Sequence, residues 1–369
     1  MRSFDVQVAG SGIVGKTLAL ALARLGLSVA LRGAPGQGGG REDVRAYALN
    51  PGSVALLRGL KVWDALPEDA RTTVHDMLVH GDAAGAALEF SAWEQRVGEL
   101  AVITDAAALE RELDAALRFA PHVTRVDADV SATLLAHCEG RAAAELKGLG
   151  AGIAVESYGQ KAIAARLVAS RPHGHVARQW FRSPDVLALL PFDRPEPERS
   201  YALVWSLPSE RAEALLAAEP AAFESELALA SGGEAGELRL GSERAAWPLA
   251  VGGAAAWCGP GWVLAGDAAH LVHPLAGQGL NLGLGDVAAL VSVIEAREPW
   301  RRLGDERLLR RYVRLRAAPT SAMLRITDGL LRLFAEDKAP IRELRNNGLT
   351  LVNRLSPLKR WLTARALDS

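Results

Sequence analysis

Between Phe4 and Leu31 the chain runs strand, glycine loop, helix, strand, and that order limits the kind of domain it can build. Phe4–Ala9 (FDVQVA) reads as a buried strand, and Gly10-Ser11-Gly12-Ile13-Val14-Gly15 is a GxGxxG. Thr17 to Gly26 is a helix rich in Ala and Leu, and Ser28 to Leu31 is a second strand. A βαβ unit of this size puts glycines where backbone must approach a pyrophosphate at a helix N-terminus. Gly10, Gly12, Ile13, Val14 and Gly15 are therefore candidate cofactor contacts. Lys16, just inside the helix, is expected as a solvated surface lysine, with charge near the phosphate as the alternative. One part of the pattern is missing. A dinucleotide fold normally ends its second strand with Asp or Glu, which binds the adenosine ribose. Here the strand ends Leu31-Arg32-Gly33, and Arg32 is expected at the surface, with recognition of a 2′-phosphate as the alternative. The loop Gly33 to Gly40 (GAPGQGGG) is flexible by composition, and Glu42 and Asp43 follow it at a spacing poorly suited to replace the missing acid.

Residues 262–286 (WVLAGDAAHLVHPLAGQGLNLGLGD) carry the most chemistry. Trp262 to Ala265 reads as a buried strand that stops at Gly266-Asp267. After a turn around Pro274, Gly277 and Gly279 open a helix whose N-terminus bears few side chains. Asp267 can accept hydrogen bonds from ligand hydroxyls, and the bare helix end offers N–H groups and a positive dipole end. A flavin suits both features: its ribityl chain needs a carboxylate, and its reduced ring is negative near N1 and O2. The competing reading is a strand–turn–helix packed tightly with glycine.

At 369 residues and 49% hydrophobic, the chain has room for two domains or one large composite domain with a sizeable core. A net charge of -1 gives no sign of nucleic-acid binding. Cys138 and Cys258 stand in no metal-ligand spacing, so no metal site is expected. The amino-terminal apolar stretch is broken by Gly10, Gly12, Gly15 and Lys16 and does not read as a signal peptide. No apolar run reaches the roughly 18 residues of a spanning helix. The expected location is cytoplasmic, with contact at the inner face of the membrane left open.

Together these residues resemble the UbiH/UbiF/VisC/COQ6 family of FAD-dependent aromatic hydroxylases of ubiquinone biosynthesis, relatives of para-hydroxybenzoate hydroxylase. The resemblance covers nearly the whole chain. It rests on Gly10 to Gly15, Asp43-Val44-Arg45, Tyr158-Gly159-Gln160, Gln179 with Phe181, Leu189-Leu190-Pro191, Leu203-Val204-Trp205, Trp247-Pro248-Leu249, Gly266 to Asp286, and Thr327-Asp328-Gly329-Leu330 with Leu333-Phe334. It implies an α/β fold: a Rossmann-like FAD domain of the GR2 type, an inserted antiparallel β-sheet substrate domain and a helical C-terminal tail. Short β-rich stretches at 74–80, 160–169, 175–182, 186–192 and 200–207 fit such an insertion. The expected division is 1–73, 101–157 and 251–336 for the FAD domain, 74–100 and 158–250 for the substrate domain, and 337–369 for a basic amphipathic tail.

The resemblance also implies the chemistry. NAD(P)H reduces FAD, and oxygen from O2 passes to an electron-rich phenolic ring. Asp267 would hold the ribityl chain, and the helix beginning near Gly277 would stabilise the reduced ring. Gly279, Leu280 and Asn281 would present backbone to the ring system. Arg45 would contact the cofactor or gate ring movement, and Pro274 would line the oxygen-transfer face. His270 and His273 are acid–base candidates by residue type, but this chemistry needs no obligatory protein base, so packing is the preferred role. Glu110, Arg111 and Glu112 read as a solvated helix face.

Three departures touch the nucleotide side: the missing acid at Gly33, Glu139 in place of the Asp of an Asp-Gly motif, and Val123 to Ala132 standing where relatives have a β-meander. Weakened FAD binding follows as an expectation. In the tail region, Arg307 to Arg316 is expected as a basic helix ending before Pro319. A second amphipathic stretch runs from Ile341 to Leu355, followed by Lys359-Arg360-Trp361-Leu362. It suits an anionic membrane surface, a homodimer or proteins of a biosynthetic complex. The leading expectation is hydroxylation of a polyprenylated phenol. The alternatives are a hydroxylase of a smaller soluble aromatic and a non-catalytic scaffold with weakened FAD binding.

Overall fold

The computed structural model describes residues 3–33, 43–81, 87–140, 150–272 and 278–335. The amino-terminal unit is β1 (Phe4–Ala9), α1 (Ile13–Arg24) and β2 (Val29–Arg32). Next come β3 (Ala46–Leu49), α2 (Pro51–Gly59), β4 (Arg71–Val74), β5 (Asp76–His80), β6 (Ala87–Ser91), a short α3 (Ala92–Gln95), β7 (Ala101–Asp105) and α4 (Ala106–Arg118). Then follow β8 (Val123–Val126), β9 (Ala132–His137), β10 (Ile153–Ala169), β11 (Val176–Arg182), β12 (Asp185–Phe192), β13 (Ser200–Pro208), α5 (Ser209–Ala217) and α6 (Pro220–Ser231). The rest comprises β14 (Leu238–Leu240), β15 (Ala245–Ala254), β16 (Cys258–Gly259), β17 (Trp262–Leu264), β18 (His270–Leu271), α7 (Gln278–Glu295) and α8 (Glu306–Ala335).

Among the described residues these strands make three sheets. The first has the order β16-β17-β9-β1-β2-β8. Its strands β17, β9, β1, β2 and β8 are mutually parallel, so helices cover both faces and the strands read as apolar runs. Val6, Val8, Val29, Leu134 and Val263 are fully buried there. α1 begins at Ile13, earlier than the composition suggested, because the Gly12 carbonyl already accepts from the Lys16 N–H. Only residues 127–131 separate β8 from β9.

The second sheet runs β18-β15-β10-β13-β12-β11-β5-β6, with β14 beside β10. Its pairs are antiparallel except β5 with β11. The period of two along each strand gives it two different faces. Ile163, Ala165, Leu167, Leu187, Leu203 and Trp205 pack in a core with Ala212 and Leu215 of α5 and Phe223 and Leu227 of α6. The alternate residues form the other face. Gln179 pairs with Ala188, Ala188 with Val204, and Val204 with Ala164, so one cross-strand row spans four strands. The third sheet, β3-β7-β4, packs on the second through Val74, Ile103, Phe192 and Ala202.

The helix expected to stop before Pro319 instead runs through it. Proline removes the N–H that would bond the Leu315 carbonyl. Leu315 is itself exposed, so water can take that bond. The stretch Ile341 to Leu355 and the rest of the 337–369 tail lie outside the described residues.

One buried charge ties the carboxy-terminal elements together. Asp286 of α7 is fully buried. Its Oδ2 accepts from the Gly266 N–H at 2.9 Å and faces His270 Nε2 at 2.6 Å. Its Oδ1 accepts from Arg316 Nε of α8 at 2.8 Å. Arg316 also donates to the Leu282 carbonyl, and the Tyr312 hydroxyl donates to that of Leu264. Truncating one member of such a pair strands a buried charge, at a cost of about 3–5 kcal/mol. Arg316→Met should therefore lower the thermal midpoint strongly, and Asp286→Asn added to it should restore part of the loss. Equal losses in the single and double variants would show that charge pairing is not what holds this junction.

Candidate active site

A cavity of about 540 Å³ lies between the first and second sheets. At one end it is lined by Gly12, Ile13 and Val14 of the glycine loop and by Arg45, Glu110 and Asp267. At the other end it meets the alternate face of the second sheet, at Ala162, Ala164, Gln179, Ala188 and Val204. Gly279 and Leu280, at the start of α7, line it between.

The glycine loop is shaped for close backbone approach. A Cβ on Gly15 would stand 1.9 Å from the Gly10 carbonyl oxygen, and one on Gly10, at φ +114°, would stand 2.6 Å from the Cys138 carbonyl carbon. Gly12 differs: a Cβ there would meet nothing within 4 Å. Gly10 and Gly15 thus close the fold, while the space beside Gly12 is left open on the cavity side. Gly12 is also the N-cap of α1 and offers no side chain to the first turn, so no side chain caps those amides.

Asp267 is exposed between buried neighbours, on the turn that Asp286 pins through Gly266. Arg45 reaches the cavity wall with its guanidinium on Asp43, at 2.6 Å between Nη2 and Oδ2, and 5.2 Å from the Trp247 ring. Burial alone would raise the Asp43 carboxyl, but Arg45 outweighs it and holds it below the usual carboxylate range. Asp43 is therefore engaged by Arg45. Tyr47 also lines the cavity, and burial pushes its phenol up to about 12, so it stays a neutral hydroxyl. Burial likewise pushes the Cys138 thiol up, so it remains protonated and acts as packing beside the loop.

Asn281 is held by its side chain. Its Oδ1 accepts from Asn50 N and Ser53 Oγ, and its Nδ2 donates to the Ala48 carbonyl. This locks α7 to α2 and β3. His270 is buried on Asp286, with its ring 5.2 Å from that of Trp257. His273, Pro274 and Gly277 lie outside the described residues.

Three expectations about charged residues are corrected. Lys16 is not solvated: it is fully buried, with Nζ 3.4 Å from Glu110 and 2.9 Å from Asp114. Glu110 is not merely on a solvated face, since it lines the cavity. The signal was present, because Glu110 and Asp114 stand four apart and so share one face of α4. Arg32 is not a surface arginine: its side chain is 13% exposed, and it binds Glu139 at 2.8 Å and Asp129 at 3.3 Å. The strand-end arginine and the carboxylate of the altered Asp-Gly motif are thus partners across β1, a pairing between residues too distant in sequence to read in advance.

Residues 99–327 match a family described as an FAD binding domain. Ubiquinone hydroxylase UbiL of Rhodospirillum rubrum is 32% identical over 99% of this chain and 90% of its own length. The 3-demethoxyubiquinol 3-hydroxylase of Escherichia coli is 30% identical over 98% of each. The chain belongs to this family of FAD-dependent hydroxylases. Its fold is that of the solved p-nitrophenol 4-monooxygenase PnpA from Pseudomonas putida, with a TM-score of 0.77 at 17% identity, covering 100% of this chain and 99% of that one. The cofactor is FAD, the reaction is that of a flavoprotein aromatic hydroxylase, and NAD(P)H is the co-substrate typical of the class. The residues present fit the flavin: an open glycine cradle, the start of α7 at Gly279 and Leu280, and a carboxylate on a pinned turn. Among the described residues no cluster of metal-ligating side chains occurs and no helix is long and apolar enough to cross a membrane.

The glycine geometry separates folding from cofactor binding in this hydroxylase. Gly12→Val should leave the thermal midpoint of the apoprotein nearly unchanged while abolishing retention of FAD. Gly15→Ala should prevent folding, since its Cβ has no room. Normal flavin content in Gly12→Val would place the pyrophosphate elsewhere.

Proposed function

We propose that this hydroxylase acts on the phenolic ring of a polyprenylated ubiquinone precursor. The observation that carries the reading is the row Gln179–Ala188–Val204–Ala164, which gives the cavity a flat, apolar wall with a polar group at one end. Small side chains leave room for a substituted ring. Gln179 is suited to orient a ring hydroxyl. The names of the UbiL and 3-demethoxyubiquinol 3-hydroxylase relatives support the same substrate class.

In this reading residues 1–73, 101–157 and 251–336 hold the cofactor, and 74–100 with 158–250 cover the substrate. FAD reduced by NAD(P)H supplies the activated oxygen. Asp267 accepts hydrogen bonds from the ribityl hydroxyls. The first turn of α7, with backbone at Gly279, Leu280 and Asn281, stabilises negative charge on the ring system. Gly10, Gly12, Ile13, Val14 and Gly15 cradle the pyrophosphate, and Arg45, braced by Asp43 and Trp247, flanks the cofactor. Gly277 and Pro274 precede α7 in the sequence. His270 acts through Asp286 to position the turn, and no proton transfer is assigned to it or to His273. A prenyl chain leaving the cavity would seek lipid, and the basic residues after Lys338 supply the peripheral membrane contact in this reading.

Two measurements test it. Asp267→Ala removes a charge-assisted hydrogen bond worth about 1.5–3 kcal/mol, so FAD should bind roughly ten- to hundredfold more weakly, as read by titration of the apoprotein. Anaerobic bleaching of the wild-type flavin by NADPH should be accelerated by a polyprenylphenol. Acceleration by small phenols alone would defeat the substrate assignment, and a protein that FAD cannot saturate would leave it a scaffold.

A further inference from the structure

One more carboxylate stands at the cofactor end of the cavity. Glu110, on α4, lines the same wall as Gly12, Ile13 and Arg45. Lys16 fixes it there, with Nζ 3.4 Å from Oε2. Lys16 lies one turn beyond Gly12, whose carbonyl accepts from its N–H, and the carboxylate it holds lines the same cavity as the loop. A pyrophosphate docks on such amides. It brings negative charge to a partly enclosed site where repulsion is poorly screened. The nearby cations are already engaged. Lys16 is shared with Asp114 at 2.9 Å, which Arg125 also holds, Arg45 is paired with Asp43, and Asp267 adds a further carboxylate to the cavity.

We infer that Glu110 is a built-in brake on FAD affinity: it opposes the pyrophosphate and keeps the cofactor loosely held. The inference rests on placing the pyrophosphate at the Gly10–Gly15 loop. The rival role for the same carboxylate is to accept hydrogen bonds from a sugar hydroxyl, in which case it would strengthen binding.

Glu110→Gln separates the two. The amide keeps the shape and an acceptor oxygen and loses only the charge, and Asp114 remains to neutralise Lys16. Apoprotein titrated with FAD, followed by flavin fluorescence, should show the variant binding about tenfold tighter, which is ~1.4 kcal/mol. ADP should follow FAD, while riboflavin, which has no phosphate, should bind both proteins equally. The gain should shrink as salt rises. Unchanged or weaker FAD binding in the variant, at an unchanged thermal midpoint, overturns the brake, and weaker binding makes Glu110 a sugar ligand. A wild type that binds riboflavin but neither FAD nor ADP would instead overturn the placement of the pyrophosphate on the loop.

Discussion

The buried carboxylate of Asp286 is the contact on which the cavity depends. It lies on α7, yet it fixes the turn after β17 through the Gly266 N–H and anchors α8 through Arg316. The turn carries Asp267 and the start of α7 carries Gly279 and Leu280, so both of these cavity-lining features are set by one residue that does not line the cavity. A buried ion pair seldom adds net stability over an apolar packing of the same shape, and it punishes loss of either partner. Here it selects one relative placement of strand end, turn and two helices. Gly285 gives that pair room, since a Cβ there would stand 2.8 Å from Arg316 Nη2.

The substrate side follows from strand periodicity. The same strands that bury Ile163, Leu187, Leu203 and Trp205 under α5 and α6 present Ala164, Ala188 and Val204 to the cavity. A one-residue slip of β12 or β13 would exchange these faces and fill the cavity with Leu and Trp. Register is thus what keeps the cavity open. Large side chains on the helix-covered face make a slip costly, and small ones on the other face leave volume for a ring.

Local pattern made much of this visible in the sequence. The βαβ unit, the β-rich stretches and the Gly266-Asp267 turn all involve residues near in sequence, where period and turn chemistry are readable. The charged residues were not. Lys16 faces α4, Arg32 meets Glu139 across an intervening strand, and Asp286 reaches Gly266, His270 and Arg316. Partners of this kind exist only after packing, and a charged side chain read alone defaults to solvent. Pro319 misled for a different reason. A proline costs a helix one bond and a local clash, and a long amphipathic helix packed on its neighbours tolerates that loss where a short one would end.

These ion pairs bear on how the dinucleotide end works. Arg32 is engaged by Glu139 and Asp129, Arg45 by Asp43, and Lys16 by Asp114 and Glu110. A cation held by carboxylates at hydrogen-bond distance attracts a phosphate less than a lone one would. With the pyrophosphate placed on the glycine loop, as proposed, the backbone amides at the start of α1, made approachable by Gly12, supply attraction that needs no free cation. Amides are fixed dipoles that need no charged partner and cost no side-chain ordering when a ligand arrives. In the proposed reading the departures at Arg32 and Glu139 belong together: Arg32 is engaged by Glu139 and Asp129, and FAD is held by the glycine loop and the turn that Asp286 pins.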